Sequence, residues 1–262
     1  MMRPLLTFLL LFVPLCGLFP EAVPAQEMFE SSAGRVAFVE LYTSEGCRSC
    51  PPAEKWFSEF EKSPELWKSI IPVSFHVTYW NRLGWNDRYA HWKYDLRQRR
   101  HAEIGDGAIY TPAVYVDGEP WPGWYQGSLP PLTHEKTGTL KVYSADANQY
   151  RFDFFPSGTV TGKLTAHLAL LGFDVKTQIK AGENKGLQLT HDFVVLDYKE
   201  KKMESRDVFF IASLGPMKPK RGYRAERFGI AAWVSSDKDG HRPIQSTGGY
   251  LNAGNASEVE QP

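Results

Sequence analysis

Apolar residues keep two different rhythms on either side of residue 138. Ahead of it, apolar runs alternate with helical spacing. Arg35 to Tyr42, RVAFVELY, is nearly continuous, the pattern of a strand covered on both faces. Ala53 to Glu61 sets Trp56, Phe57 and Phe60 at the intervals of one helix face. Ile70 to Val77 is β-branched and aromatic and predicts a second strand. Arg88 to Glu103 has neither Gly nor Pro and puts Tyr89, Trp92 and Leu96 on one stripe. It predicts a helix whose aromatic stripe packs on the sheet while its arginines face water. Ala113 to Val116 is a third strand, closed by the turn pair Asp117-Gly118. Strand and helix in alternation imply helices covering a sheet with at least one parallel pair.

Beyond Pro130-Pro131 and Gly138 the pattern is mostly strands and turns. Alternation is clear in Tyr150 to Phe154 and in Leu187 to Thr190, and GENKG and SSDKDG mark loops. Strands at this spacing predict an all-β, immunoglobulin-like antiparallel sandwich over 138–251. The last residues, 252–262, are small and polar and read as a disordered tail.

The first residues stand apart from both patterns. Arg3 precedes an apolar run from Leu5 to Phe19, and Val23-Pro24-Ala25 offers small residues for cleavage. This reads as a signal peptide over 1–25, too short and too interrupted for a comfortable membrane span. The chain of 262 residues carries 30 basic and 30 acidic residues. Removing Arg3 and Glu21 with the signal leaves that balance intact, which argues against nucleic acid or an anionic membrane as partner. The expected location is periplasmic or extracellular, an oxidising setting. Apart from Cys16 in the signal, the cysteines are Cys47 and Cys50. The core, rather than cross-linking, must therefore hold the fold.

The stretch YTSEGCRSCPP places those two cysteines two residues apart, after a strand and at the start of a helix. Pro51 and Pro52 are tolerated in the first helical turn, where backbone N–H groups lack partners. The helix should begin at about Cys50 or Pro51. Cys47 would then lie just ahead of the positive helix end as the exposed, more acidic thiol, with Cys50 buried behind it. Three uses stay open: a redox pair, a static disulfide, or a zinc or copper site completed by His76. Metal is the weakest, because no second ligand pair accompanies the cysteines, and no cofactor is expected.

VELYTSEGCRSCPPAE, FHVTYWNRLGWND, YTPAVYVDG and AGENKGLQLTHDFVV, in that order, resemble the DUF1223 family, secreted thioredoxin-like proteins of unknown function. The resemblance implies a thioredoxin-like α/β domain over 33–137, with a helical and aromatic insert at 78–105. It implies that Cys47 attacks, that Cys50 resolves, and that Pro112 after Thr111 is a cis-proline aligning the substrate. It also places Glu40 under the disulfide as a proton relay, its pKa raised by burial. An equal alternative is a Glu40 that faces solvent or pairs with a base.

The loop YWNRLGWND should emerge beside the cysteines, where Trp80, Trp85 and Asp87 would line a groove together with His76 and Thr111. PWPGWYQGSLPP is a poor helix former, so a final helix there should be short or absent. His167 and His191 read as core or surface histidines rather than ligands. The expected function is thiol–disulfide exchange with a protein or a low-molecular-weight thiol. The alternative is a noncatalytic binding module with a structural disulfide.

Overall fold

AFVELYT and IIPVSFH, each rich in β-branched and aromatic residues, become two fully buried parallel strands at the centre of the molecule. The computed structural model describes residues 28–252 apart from 105–106, 134, 147–148, 220–222, 224 and 240–241. The expected signal peptide and, from 253 on, the expected tail lie outside the described residues. In chain order the elements begin with β1 Met28–Glu30, β2 Ala37–Thr43, α1 Cys50–Ser58, β3 Ile70–His76 and α2 Trp92–Ile104. β4 Ala113–Val116 and the edge strand β5 Glu119–Pro120 follow, then β6 Gly138–Asp146, β7 Gln149–Pro156 and β8 Leu164–Phe173. The hairpin strands β9 Val175–Gln178 and β10 Gln188–His191 lead to β11 Val194–Lys202, β12 Glu204–Arg206 and β13 Phe209–Leu214. β14 Arg227–Ser236 and β15 Pro243–Tyr250 complete the described chain.

The protein is mostly β-sheet with few helices. The main sheet runs β15-β14-β8-β11-β3-β2-β4-β5, and a second runs β1-β6-β7-β13-β12. β2 and β3 form the expected parallel pair, from Ala37 opposite Ile70 to Thr43 opposite His76. β11 joins the other side of β3, also parallel, with Val194 opposite Ser74. Strands from both sides of residue 138 are therefore hydrogen-bonded into one sheet, and the expected domain boundary does not interrupt it.

Alternation along β8 explains how the sheets pack. Leu164, Ala166, Leu168 and Leu170 join one core with Leu140, Val142, Phe152 and Phe154 of the second sheet. Ala169, Leu171 and Phe173, of opposite parity, join the other core with Phe38, Phe75 and Trp233. A strand buried on both faces needs apolar residues at both parities, which is why LTAHLALLGF shows little alternation.

Two expectations about helices meet different outcomes. α1 starts at Cys50 with its two prolines in the first turn, as the sequence predicts. α2 starts at Trp92 rather than Arg88 and meets its predicted orientation only in part. Tyr89, ahead of it, is buried and Arg99 and Arg100 face water, but the rest of the stripe does not pack. Trp92 and Leu96 are 57% and 42% exposed, while Tyr94, Arg97, Gln98, His101 and Ala102 are buried. The reason is the surface beneath it, which carries a carboxylate (Glu40) and three aromatic rings. The Arg97 guanidinium lies 5.8, 5.7 and 5.0 Å from the rings of Phe38, Phe75 and Trp233. After β5 the chain makes one 3-10 turn, Pro122–Gln126, in place of a final α-helix.

Candidate functional site

The cysteine turn is set by backbone bonds at the end of β2. Cys47 N donates to Ser44 O at 3.0 Å and Cys50 N to Cys47 O at 3.2 Å, which closes the turn directly onto α1. Cys47 and Cys50 form a disulfide. Contrary to the expected exposed thiol, Cys47 is 0% accessible, as is Cys50, whereas Arg48 and Ser49 between them are exposed. The cover comes from the β9–β10 hairpin, 137 residues away in sequence. Asn184 Nδ2 donates to both Glu45 O and Cys47 O at 2.9 Å, and Glu183 Oε2 accepts from Arg48 N at 3.2 Å. Gly182 makes the hairpin possible: its φ is +75°, and an added Cβ would meet Trp85 Cβ at 3.1 Å.

Thr111, Pro112 and Trp80 do lie beside this turn. The Thr111–Pro112 peptide is cis. Ser49 Oγ donates to Thr111 O at 3.5 Å and sits 3.4 Å from Cys47 Sγ, and Trp80 Nε1 donates to Thr111 Oγ1 at 2.7 Å. The disulfide leaves no thiolate for the zinc or copper site considered with His76. Of the remaining groove candidates, Trp85 is half-buried and donates from Nε1 to Glu45 Oε2 at 2.7 Å. His76 and Asp87 are buried and bonded to each other, Nδ1 to Oδ2 at 2.7 Å.

Glu40 is buried, but it pairs with bases on α2. Arg97 Nε donates to Oε1 at 2.6 Å, Tyr42 OH to the same oxygen at 2.9 Å, and His101 Nε2 lies 3.0 Å from Oε2. Burial pushes its pKa up, yet the Arg97 and His101 charges outweigh that and hold the carboxyl well below the usual range. This reverses the expected upward shift and removes the ground for a proton relay. Period-2 geometry adds a second objection. Thr43, of opposite parity on β2, contacts α1, so Glu40 points to the α2 face.

The titratable groups nearest the cysteine turn are others. Glu45 and Glu54 flank the cysteines in sequence, and His191 ends β10. His191 Nδ1 lies 2.8 Å from Glu54 Oε2, and its Nε2 lies 3.2 Å from Glu45 Oε1. Thr43 Oγ1 donates to Glu54 Oε1 at 2.5 Å, and Glu45 N donates to Asp87 Oδ2 at 2.8 Å. Burial disfavours the charge on His191, but the two carboxylates prevail and raise its pKa. Burial likewise pushes Glu54 and Asp87 up, and the His191 and His76 charges respectively pull them below their usual values. A cleft of about 730 Å³ between Arg35, Asp117, Trp121 and Arg242 includes none of these groups.

A family model described as "Protein of unknown function (DUF1223)" matches residues 38–208. The chain belongs to the DUF1223 family. The DUF1223 match contains the cysteine turn, Thr111-Pro112, the Asn184 cover and His191. No curated protein matches the chain. A crystal structure of a protein from Agrobacterium tumefaciens is similar to this DUF1223 chain at 19% identity and a TM-score of 0.56, covering 83% of this chain and 94% of its own. HBP35 of Porphyromonas gingivalis is similar at 16% identity and a TM-score of 0.57, covering 85% and 77%. At these identities the likeness shows a shared fold.

Sequence reasoning missed Glu54, Asn184 and His191 as neighbours of the cysteines. For Glu54 a signal existed: it follows Cys50 by four residues and precedes Phe57 by three, so it shares their helix face. Nothing local in AGENKGLQLTHD tells that this hairpin folds back over residue 47.

Proposed function

We propose that this chain is a thiol–disulfide oxidoreductase of an oxidising, extracytoplasmic compartment, held closed by the 182–186 loop. The supporting observation is the Cys47–Cys50 disulfide at the start of α1 with the Thr111 carbonyl against Ser49. The order β2, CxxC, α1, parallel β3, then Thr-Pro before antiparallel β4, supports a thioredoxin-like reading of this half. With the loop displaced, a substrate thiolate attacks Cys47 Sγ, and the bonding pair leaves with Cys50, which takes up a proton. A second substrate thiolate attacks the substrate sulfur of that mixed disulfide and releases Cys47. Two electrons pass from a dithiol to the protein, whose partner is a protein or a small thiol.

Complete burial of both sulfurs favours a second reading, a static disulfide in a noncatalytic binding module. One experiment separates them: trapping of mixed disulfides with secreted or periplasmic proteins by Cys50→Ser and Cys47→Ser, each with and without Asn184→Ala. Exchange predicts adducts on Cys47 in Cys50→Ser, more abundant with Asn184→Ala, and none in Cys47→Ser. No adduct in any of the four backgrounds leaves the static reading.

A further inference from the structure

Behind the cysteine turn, three rigid elements bring Glu54, His76 and His191 together. One ligand atom from each lies within 4.8 Å of the others, and all three residues are buried. They come from α1, the end of β3 and the end of β10, so backbone hydrogen bonds already fix their positions. Each imidazole has one nitrogen backed by a carboxylate. Asp87 Oδ2 holds His76 Nδ1, and Glu45 Oε1 faces His191 Nε2. Carboxylates in that position orient metal-ligating histidines and fix their tautomer. Thr43 occupies Glu54 Oε1 and leaves Oε2 as the inner oxygen.

The observation that points to a ligand is His76 Nε2. This atom is buried and has no hydrogen-bond partner among the described residues, although its ring meets that of His191 at 5.0 Å between centroids, edge to face. A buried polar atom without a partner is costly and rarely idle. The charge balance points the same way, for three buried carboxylates, Glu45, Glu54 and Asp87, surround two imidazoles.

We propose that Glu54 Oε2, His76 Nε2 and His191 Nδ1 bind one divalent transition-metal ion of the zinc class. Two imidazole nitrogens and one carboxylate oxygen suit zinc and disfavour magnesium or calcium, which take oxygen ligands. Three protein ligands leave a fourth position for water or a small ligand. The ion takes the place of the proton between His191 Nδ1 and Glu54 Oε2, and that proton is released to solvent. No sulfur takes part, so the site is independent of the thiol chemistry proposed above.

The test is titration of the oxidised, chelator-treated full chain with zinc by calorimetry, and with cobalt(II) by visible absorption. The expected result is one ion per chain, a d–d spectrum without sulfur-to-metal charge transfer, and the same affinity in Cys47→Ser/Cys50→Ser. Glu54→Gln and His76→Gln should bind at least about tenfold more weakly, and Asp87→Asn roughly 10–100-fold, as for other carboxylates behind a metal-bound histidine. Glu61→Gln, in the partly exposed acidic group Glu61, Asp174 and Asp192, is the control and should leave the stoichiometry unchanged. Zinc should raise the melting temperature of wild type and of the control more than that of Glu54→Gln at the same concentration. Near-ultraviolet circular dichroism identifies any variant that fails to fold, and Glu54→Gln, which keeps its size, then carries the comparison. No zinc binding by the wild-type chain, or equal binding by wild type and a folded Glu54→Gln, would overturn the proposal.

Discussion

Glu40 and Arg97 stand 57 residues apart in sequence and form a buried ion pair whose partners are nearly inaccessible. Removing one partner of such a pair strands the other charge, which typically costs about 3–5 kcal/mol, whereas replacing both can be nearly neutral. Arg97→Met should therefore lower stability by about that amount. Glu40→Gln/Arg97→Met should cost clearly less than the sum of the single changes, as read from denaturant unfolding. Additive losses would mean that the two groups do not act as a pair. The pH dependence has a definite sign. The folded carboxyl titrates well below its unfolded value, so its contribution is full above that unfolded value and is lost as pH falls toward the folded one. Glu40→Gln should accordingly flatten the acid limb of the stability profile. The carboxylate inside RVAFVELY was legible as an anomaly, with a proton relay and a glutamate facing solvent or paired with a base equally open. Which base it meets was not legible, because parity on a strand gives the face but not what folds onto that face.

Helix α1 and the β9–β10 hairpin show what can be read at the scale of elements. The Pro-Pro pair places the start of α1, since proline at that point is a local steric matter. The hairpin was legible as a turn, GENKG, but its role depends on a contact made across the whole chain by Asn184. α2 shows the opposite risk, where Trp92 and Leu96 form a stripe at helical spacing yet face outward. Amphipathic periodicity names the apolar face, and here the sheet demanded the polar one. The Asn184 amide bridges two carbonyls over the disulfide, and its loss leaves them short of a donor. A buried bond of this kind contributes about 1 kcal/mol. Asn184→Ala should thus raise the open population several-fold and speed reduction of the disulfide by dithiothreitol to a similar extent, while lowering the melting temperature by only a few degrees. Thiol alkylation followed by mass spectrometry measures that rate. An unchanged rate would mean that the hairpin does not control access to the sulfurs.

The whole molecule is built around one sheet that the sequence pattern divides at residue 138. The two rhythms are real, since helices cluster before that point and strands after it. Yet β11 pairs with β3, and Gln245 of β15 ties the two halves at their seam. The two N–H groups of its Nε2 are shared among Ser32 O, Gly34 O and Gly138 O, at 3.0, 2.9 and 2.6 Å, while its Oε1 accepts from Val36 N at 3.0 Å. Phe38 packs on Trp233 with centroids 4.4 Å apart and planes tilted by 35°, and Phe57 meets Phe193 edge-on at 5.7 Å. Without residues beyond 138, the core around Phe38 and Phe75 would lose Leu171, Phe173, Phe193, Val195 and Trp233. At about 2 kcal/mol for each large apolar side chain, that loss of about 10 kcal/mol equals the net stability of an ordinary domain, about 5–15 kcal/mol. It would also expose the hydrogen-bonding edge of β3, an invitation to association. A fragment of residues 28–137 is therefore expected to lack a cooperative thermal transition by circular dichroism and to aggregate, whereas residues 28–252 should unfold in a single transition. Cooperative, monomeric unfolding of the shorter fragment would show that the halves are separate domains that merely share an edge. The other result would make the strands after residue 138 part of the platform that holds the cysteine turn.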